Sequence, residues 1–162
     1  MDGVICDFYY EIRKMSTKHF GEPLNFEELE IKLGKEKLWE FIDGYGEEFW
    51  SNLGRLDREN KLYNFIFKNF KQIKILSSKG KSKHGESGKR KWLLNNGFHK
   101  LNEKDIIIVP NAAYKKHFAR QNHILIDDMK RNISDWIEFG GIGILHTTID
   151  DTINKLNKIL KS

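Results

Sequence analysis

The chain has a single cysteine, Cys6, in 162 residues. One thiol cannot close an internal disulfide, so a stapled secreted scaffold is excluded and a reducing compartment fits. The expected location is the cytoplasm. No apolar run approaches the ~20 residues that a membrane-spanning helix needs. The first residues lack the basic start and apolar stretch of a signal peptide, so no membrane partner is expected. The six histidines are scattered without metal-ligand spacing, and one cysteine cannot nucleate a zinc site. Gly80-Lys81-Ser82 imitates the end of a phosphate-binding P-loop, but the earlier glycine this loop requires falls on Ile75. No nucleophile elbow of the Gly-x-Ser-x-Gly type is present.

What is there suits a globular domain. A chain of 162 residues is enough for one domain with a real core and a small insert. Hydrophobic residues make up 39% and charged residues 31%, within the range of soluble proteins. The net charge of +5 is uneven. Residues 68–91 carry nine Lys or Arg against one acid, Glu86, whereas residues 21–50 carry nine acids against Lys32, Lys35 and Lys37. A basic segment attracts phosphate, on a nucleotide or on a nucleic acid, although no nucleic-acid-binding motif accompanies it.

Four short β-branched runs, 73–76, 106–109, 124–126 and 142–145, read as strands, and their nearly continuous apolar character suits strands buried on both faces of a parallel sheet. Helical patterns lie between and after them, at 89–96, 132–139 and in the tail. There Ile149, Ile153, Leu156 and Leu160 recur at helical intervals behind Thr148 as N-cap. Alternating strand and helix predicts a parallel α/β sheet with right-handed crossovers. Residues 9–70 do not alternate and predict several short helices and no strand. The stretch 78–88, with its lysines and glycines, reads as the most flexible loop.

Two stretches at opposite ends of the chain place carboxylates at strand tips, where open α/β sheets keep their chemistry. They are Met1-Asp2-Gly3-Val4-Ile5-Cys6-Asp7-Phe8, and Ile124-Leu125-Ile126-Asp127-Asp128 running into Met129-Lys130-Arg131-Asn132. Ser77 follows the first alternating strand, and Lys89 opens the next helix in Gly88-Lys89-Arg90-Lys91-Trp92. Taken singly, each has a plain structural explanation: a turn, a helix start, a loop serine, a surface lysine. Their order and shared placement at strand ends carry the signal.

The first stretch resembles the Asp-x-Asp-Gly-Val signature of the haloacid dehalogenase (HAD) superfamily, and the second resembles the acidic motif that closes the same site. Together with Ser77-Ser78, and with Asn132-Ile133-Ser134-Asp135-Trp136 leading to Gly140-Gly141-Ile142-Gly143-Ile144-Leu145-His146, they are similar to the 5'(3')-deoxyribonucleotidase branch in its bacterial and phage style. The resemblance covers nearly the whole chain outside residues 9–70. It implies an HAD-like, Rossmann-like α/β fold, a parallel sheet with helices on both faces. The core would be 1–8 and 71–162, and 9–70 a small helical cap.

The same resemblance implies a Mg²⁺-dependent phosphomonoesterase that dephosphorylates (deoxy)nucleoside monophosphates through an aspartyl-phosphate intermediate. By it, Asp2 is the acid/base, and its main-chain carbonyl is a metal ligand beside Asp127 and Asp128, with Asp128 the direct one. Ser77 and Ser78 hold the phosphoryl group and Lys89 neutralises it. Phe8 lies against base or sugar, or else packs as a core residue under the cap. Three clustered acids repel one another, so the carboxylates should bind Mg²⁺, with Lys89 paired to one of them or to phosphate.

In the family signature the nucleophilic Asp directly precedes the position of Met1. The expectation is therefore that the sequence starts late, at an internal Met, and that the natural protein carries a further strand ending in that Asp. A truncated, inactive descendant is the other account. Three functional readings follow: the nucleotidase, a non-catalytic nucleotide- or phosphate-binding homologue, and a 3'-phosphatase acting on nucleic-acid ends, which the basic loop would suit.

Overall fold

Residues 1–161 are described by the structure, a computed structural model. Local chemistry fixes where many of the elements begin. The Asp7 carboxylate accepts from the Tyr10 N–H and starts α1 (Phe8–Phe20) directly behind the two-residue strand β1 (Cys6–Asp7). Asn25 and Glu28 form a reciprocal capping box at the head of α2 (Phe26–Leu33), which satisfies two otherwise orphaned N–H groups. There follow α3 (Lys35–Asp43), α4 (Gly46–Ser51), β2 (Gly54–Arg55) and α5 (Lys61–Asn69).

From there the chain alternates: β3 (Ile75–Ser78), α6 (Gly85–Asn95), β4 (Ile106–Val109), β5 (Ile124–Asp127), α7 (Lys130–Glu138), β6 (Ile142–Leu145) and α8 (Ile149–Leu160). The Thr148 hydroxyl accepts from the Asp151 N–H and caps α8, as the sequence predicts. A 3-10 turn, Ala112–Phe118, follows β4.

The β-branched runs pair in parallel, β3 with β4 (Ile75 opposite Ile106) and β5 with β6 (Ile124 opposite Ile142). This is the α/β, HAD-like architecture that the sequence implies. Along β5 the side chains alternate between two layers. Ile124 and Ile126 join Val4, Leu62, Ile144 and Leu156 under α5 and α8. Leu125 joins Ile133 and Trp136 of α7 on the other face. Helices thus cover both faces, and the strands are apolar up to their carboxyl tips for that reason. The strand expected at 73–76 begins two residues later because its register with β4 is set from Ile106, which leaves Ile73 and Lys74 outside the ladder.

Two expectations are corrected. Residues 9–70 are mainly helical but contain β2, which pairs antiparallel with β1 (Cys6 opposite Arg55). A two-residue strand is too short to carry a readable period. The stretch 78–88 is not a loop throughout, since α6 begins at Gly85 and places Lys89 in its second turn. Gly88 reads as a helix breaker, yet contact requires it. A Cβ there would lie 2.3 Å from Trp50 Cβ and 2.9 Å from the Glu47 carbonyl, so its absence lets α6 close onto α4. Ser82, in the same stretch, is buried and donates to the Asp43 carboxylate at 2.5 Å while accepting from Trp50 Nε1 at 3.0 Å.

Candidate active site

The site is built at the carboxyl ends of β3 and β5. Ahead of it the chain makes a tight turn in which the Met1 carbonyl accepts from the N–H groups of Val4, Ile5 and Cys6, and Gly3 N–H donates to the Cys6 carbonyl. Gly3 holds φ +67°, and a Cβ there would sit 2.1 Å from Asp128 Oδ2. The missing side chain thus brings the turn bearing Asp2 against the tip of β5. Gly3→Ala is expected to cost at least ~1–2 kcal/mol from the left-handed backbone alone, with the clash added. The check is a fall in urea midpoint; an unchanged midpoint would show that Asp128 swings clear and the turn relaxes.

Lys89 is the hub of the first half. It is 1% exposed, and its Nζ donates to Asp2 Oδ2 at 2.5 Å and to the Ser78 carbonyl at 2.6 Å, with Ser77 Oγ at 3.4 Å. It also lies 4.8 Å from the centre of the Trp50 ring, a favourable position for a cation over an aromatic face. Burial by itself would raise the Asp2 pKa, but the Lys89 ammonium beside it outweighs this and holds the carboxyl below its ordinary value. Cys6 Sγ donates to Asp2 Oδ1 at 3.3 Å, and burial together with the Asp2 charge pushes the thiol pKa well up, so it stays a neutral donor. Ser78 contributes through its carbonyl, since its hydroxyl accepts from the Gly80 N–H.

The second half is held by a residue that the sequence reading did not single out. Lys115, in the 3-10 turn after β4, is buried and donates from Nζ to Asp127 Oδ2 at 2.7 Å. Asp127 Oδ1 accepts from Asn132 Nδ2 at 2.8 Å and from the Met129 N–H at 3.0 Å. Burial pushes the Asp127 pKa up, but Lys115 and these hydrogen bonds prevail and the net shift is downward. The sequence signal for Lys115 is limited to its place after strand β4. Among Tyr114-Lys115-Lys116-His117 it looks like any surface lysine.

Asp128 differs from its neighbours. Its side chain accepts from the Tyr9 hydroxyl at 3.5 Å, and burial followed by the Asp127 charge raises its pKa. Burial and the Asp128 charge push Tyr9 up to about 12. The structure therefore brings Asp2, Ser77 and Lys89, at the tip of β3, near Asp127 and Asp128 at the tip of β5. Phe8 is placed beside them but turned into the core. It is 9% exposed and stacked on Trp50 at 5.6 Å between ring centres.

Among the described residues no three His, Cys, Asp or Glu side chains converge tightly enough to enclose a metal ion by themselves. Mg²⁺ asks for less, being held by one or two carboxylates with water and substrate phosphate completing its shell. The donor set fits that cation. It is all oxygen; among the described residues Asp128 makes no ion pair, and burial and the Asp127 charge raise its pKa; and the backbone bonds of the turn go to Met1 and Cys6, leaving the Asp2 carbonyl out of them. Asp128→Asn is expected to weaken Mg²⁺ binding at least tenfold by titration calorimetry, in line with the ~10–100-fold cost of altering metal-site partners. Unchanged affinity would place the ion elsewhere.

Parallel strand pairs, acids at their carboxyl tips and buried lysines facing those acids define an HAD-like α/β protein. Within that class the chain belongs to the family described as 5' nucleotidase, deoxy (pyrimidine), cytosolic type C protein, which it matches over residues 1–156. Membership places it among nucleotidase phosphatases of the HAD type. Among curated proteins the chain has no match. Among the described residues no helix is long and apolar enough to cross a membrane.

Proposed function

We propose that the site serves Mg²⁺-dependent removal of the phosphate from (deoxy)nucleoside monophosphates through an aspartyl-phosphate intermediate. The observation that carries this reading is the convergence of Lys89, Ser77 and Asp2, which lie 12 and 87 residues from Lys89 in sequence but meet at one ammonium group. A phosphoryl group entering there meets Lys89 Nζ and the Ser77 hydroxyl, with Lys115 across the site beside Asp127. Such fixed positive charge, aimed where negative charge accumulates, is the main protein contribution to phosphoryl transfer. Asp128, Asp127 and the Asp2 carbonyl would hold Mg²⁺, which when bound supplies charge stabilisation at the phosphoryl oxygens.

Asp2 serves as acid and then base. Without substrate its proton affinity is held down by Lys89. An arriving phosphate competes for that ammonium and adds negative charge, both of which raise the Asp2 pKa. The substrate thereby helps to protonate the group that must donate to the leaving oxygen, and that group later takes a proton from water. The attacking carboxylate of the family signature belongs directly ahead of Met1. Asp2 is committed to Lys89, and Asp7 is committed to the head of α1, so neither takes that role. The helices of 9–70 act as the cap, and Phe8 and Trp50 stack on each other in its core, Trp50 lying over Lys89.

A second reading, nucleotide binding without hydrolysis, draws on the same phosphate-facing groups. Both readings require the chain to bind a deoxynucleoside monophosphate, so this is the first test. Titration with dUMP and Mg²⁺ is expected to show binding that Lys89→Met weakens at least tenfold. Binding that is indifferent to Lys89 would overturn both.

A further inference from the structure

Ser77, Ser78 and Lys89 belong to one segment, β3 to α6, and the stretch between them is pinned by α3 and α4. Gly80 takes φ +65°, and a Cβ there would lie 2.5 Å from the Trp39 ring of α3. Ser82 is 1% exposed, and its hydroxyl uses its whole hydrogen-bonding capacity of one donor and two lone pairs. It donates to Asp43 Oδ1 at 2.5 Å and accepts from Trp50 Nε1 at 3.0 Å and from the His84 N–H at 3.1 Å. The second Asp43 oxygen accepts from the Lys83 N–H at 3.1 Å. One carboxylate at the end of α3 thus closes the stretch in two places, through bonds that its charge strengthens. Another tie between these helices and α6, Lys91 to Glu47, is an exposed ion pair of the kind that contributes little.

Trp50 is where this clasp meets the site. Its ring is 2% exposed, stacks on Phe8 with centres 5.6 Å apart, and has Lys89 Nζ 4.8 Å from its centre. A buried indole N–H needs an acceptor, and a main-chain carbonyl is enough. Trp92 Nε1 uses the Leu53 carbonyl at 2.6 Å and Trp136 Nε1 the His123 carbonyl at 3.1 Å. Trp50 instead donates to a side chain that is itself anchored on a different helix. Burial alone does not call for that third residue. It does fix the ring's orientation, because Ser82 cannot turn without giving up Asp43 or the His84 N–H.

Lys89 needs such a wall. Its four-carbon stem is flexible, yet the ammonium must meet Asp2, the Ser78 carbonyl and Ser77 together. The Trp50 ring confines it, and α6 is held close to that ring at Gly88, where a Cβ would lie 2.3 Å from Trp50 Cβ. Misplacement by ~1 Å can cost about a hundredfold where function depends on positioning. A ring that holds the ammonium therefore acts on function without touching substrate.

We infer that Asp43 and Ser82 are positioning residues for the phosphate-facing ammonium of Lys89. They orient Trp50 through the Ser82 hydroxyl, and Trp50 holds Lys89 Nζ in place. The inference rests on the reading that Lys89 meets phosphate, and it adds that the cap helix α3 governs how well Lys89 does so.

The test compares the 162-residue chain with Ser82→Ala, Lys89→Met and the double variant, titrating inorganic phosphate in the presence of Mg²⁺ by calorimetry. Ser82→Ala is expected to weaken binding about fivefold or more in the parent. When Lys89 is already Met the effect should fall below about twofold, since residues that act through one another are not additive. The same factor in both backgrounds would show that Ser82 does not act through Lys89 and would overturn the inference. A second measurement needs no ligand. In proton–nitrogen NMR the Lys89 ammonium is assigned by its loss in Lys89→Met. Its protons are expected to exchange about tenfold faster in Ser82→Ala, while Trp92 Nε1–H, held by the Leu53 carbonyl, keeps its rate. Equal acceleration of both would reduce the clasp to a stabilising contact and overturn the inference, as would an unchanged ammonium. Asp43→Asn puts a donor in place of one accepting oxygen; it should move both readouts in the same direction and serves if Ser82→Ala does not fold. Phosphate binding that is absent or indifferent to Lys89 would overturn the proposed function, and the ammonium exchange alone then upholds or overturns the placement of Lys89 by the clasp.

Discussion

Lys115→Met is expected to remove about 3 kcal/mol of stability at pH 7, the lower end of the ~3–5 kcal/mol typical when one partner of a buried ion pair is deleted. The lower end applies because Asp127 keeps its hydrogen bonds from Asn132 and the Met129 N–H. The pair is enclosed, with side chains 9% and 4% exposed, so solvent does little to soften the loss. Against a total of ~5–15 kcal/mol for a domain of this kind, that is a large fraction.

The pH dependence identifies the cause. In the parent chain the Asp127 pKa is depressed below 3.8, so its stabilising contribution is complete above that value and is lost as pH falls through the lower folded value. Without Lys115, burial is opposed only by hydrogen bonds and the pKa moves upward. The variant's deficit should therefore be complete at neutral pH and shrink as pH falls below 3.8, toward acid where Asp127 is neutral in both states. Urea unfolding at neutral pH and at pH about 2 measures this. A deficit equal at both values would place the loss in the packing of the lysine methylenes instead.

The same lysine shows where sequence reading stops. The strands were legible because Ile106–Val109 and Ile142–Leu145 are uncharged and largely β-branched, a pattern that burial on two faces demands. Helix α8 was legible because Thr148 and the spacing of Ile149, Ile153 and Leu156 are local signals. The acids at the strand tips could be read because their position depends on strand ends that are themselves readable.

Lys115 has no such marker, since what sets it apart from Lys116 is a buried acid on the next strand. The clasp joining Ser82 to Asp43 and Trp50 spans 39 and 32 residues of sequence and sits in a stretch whose lysines and glycines look mobile. Gly88 lies in the stretch that reads as a loop, and its close packing on Trp50 offsets the intrinsic cost of a glycine inside a helix. In each case the deciding partner is brought in by topology, which periodicity does not encode.

Topology also sets the largest effect to be expected on catalysis. A fusion that places Ile-Val-Ile-Val-Asp directly ahead of Met1 is expected to hydrolyse deoxynucleoside monophosphates with Mg²⁺ at least ~100-fold faster than the 162-residue chain, since positioning errors of ~1 Å already cost about that much. Met1 is buried at the tips of β3 and β5, and its α-amino group feels Lys115, Asp2 and Asp127. A residue placed ahead of it therefore lies among the groups proposed to hold phosphate. Asp2, two positions after that point, is tied to Lys89 at 2.5 Å and is suited to moving protons. Its carboxylate is poorly placed for in-line attack on phosphorus, and phosphoryl transfer depends on that alignment. Replacing the added Asp by Asn should return the fusion to the rate of the parent chain. A fusion that binds dUMP without turning it over would favour nucleotide binding without hydrolysis. Robust turnover by the 162-residue chain itself, abolished by Asp2→Asn, would make Asp2 the nucleophile and overturn the assignment of roles.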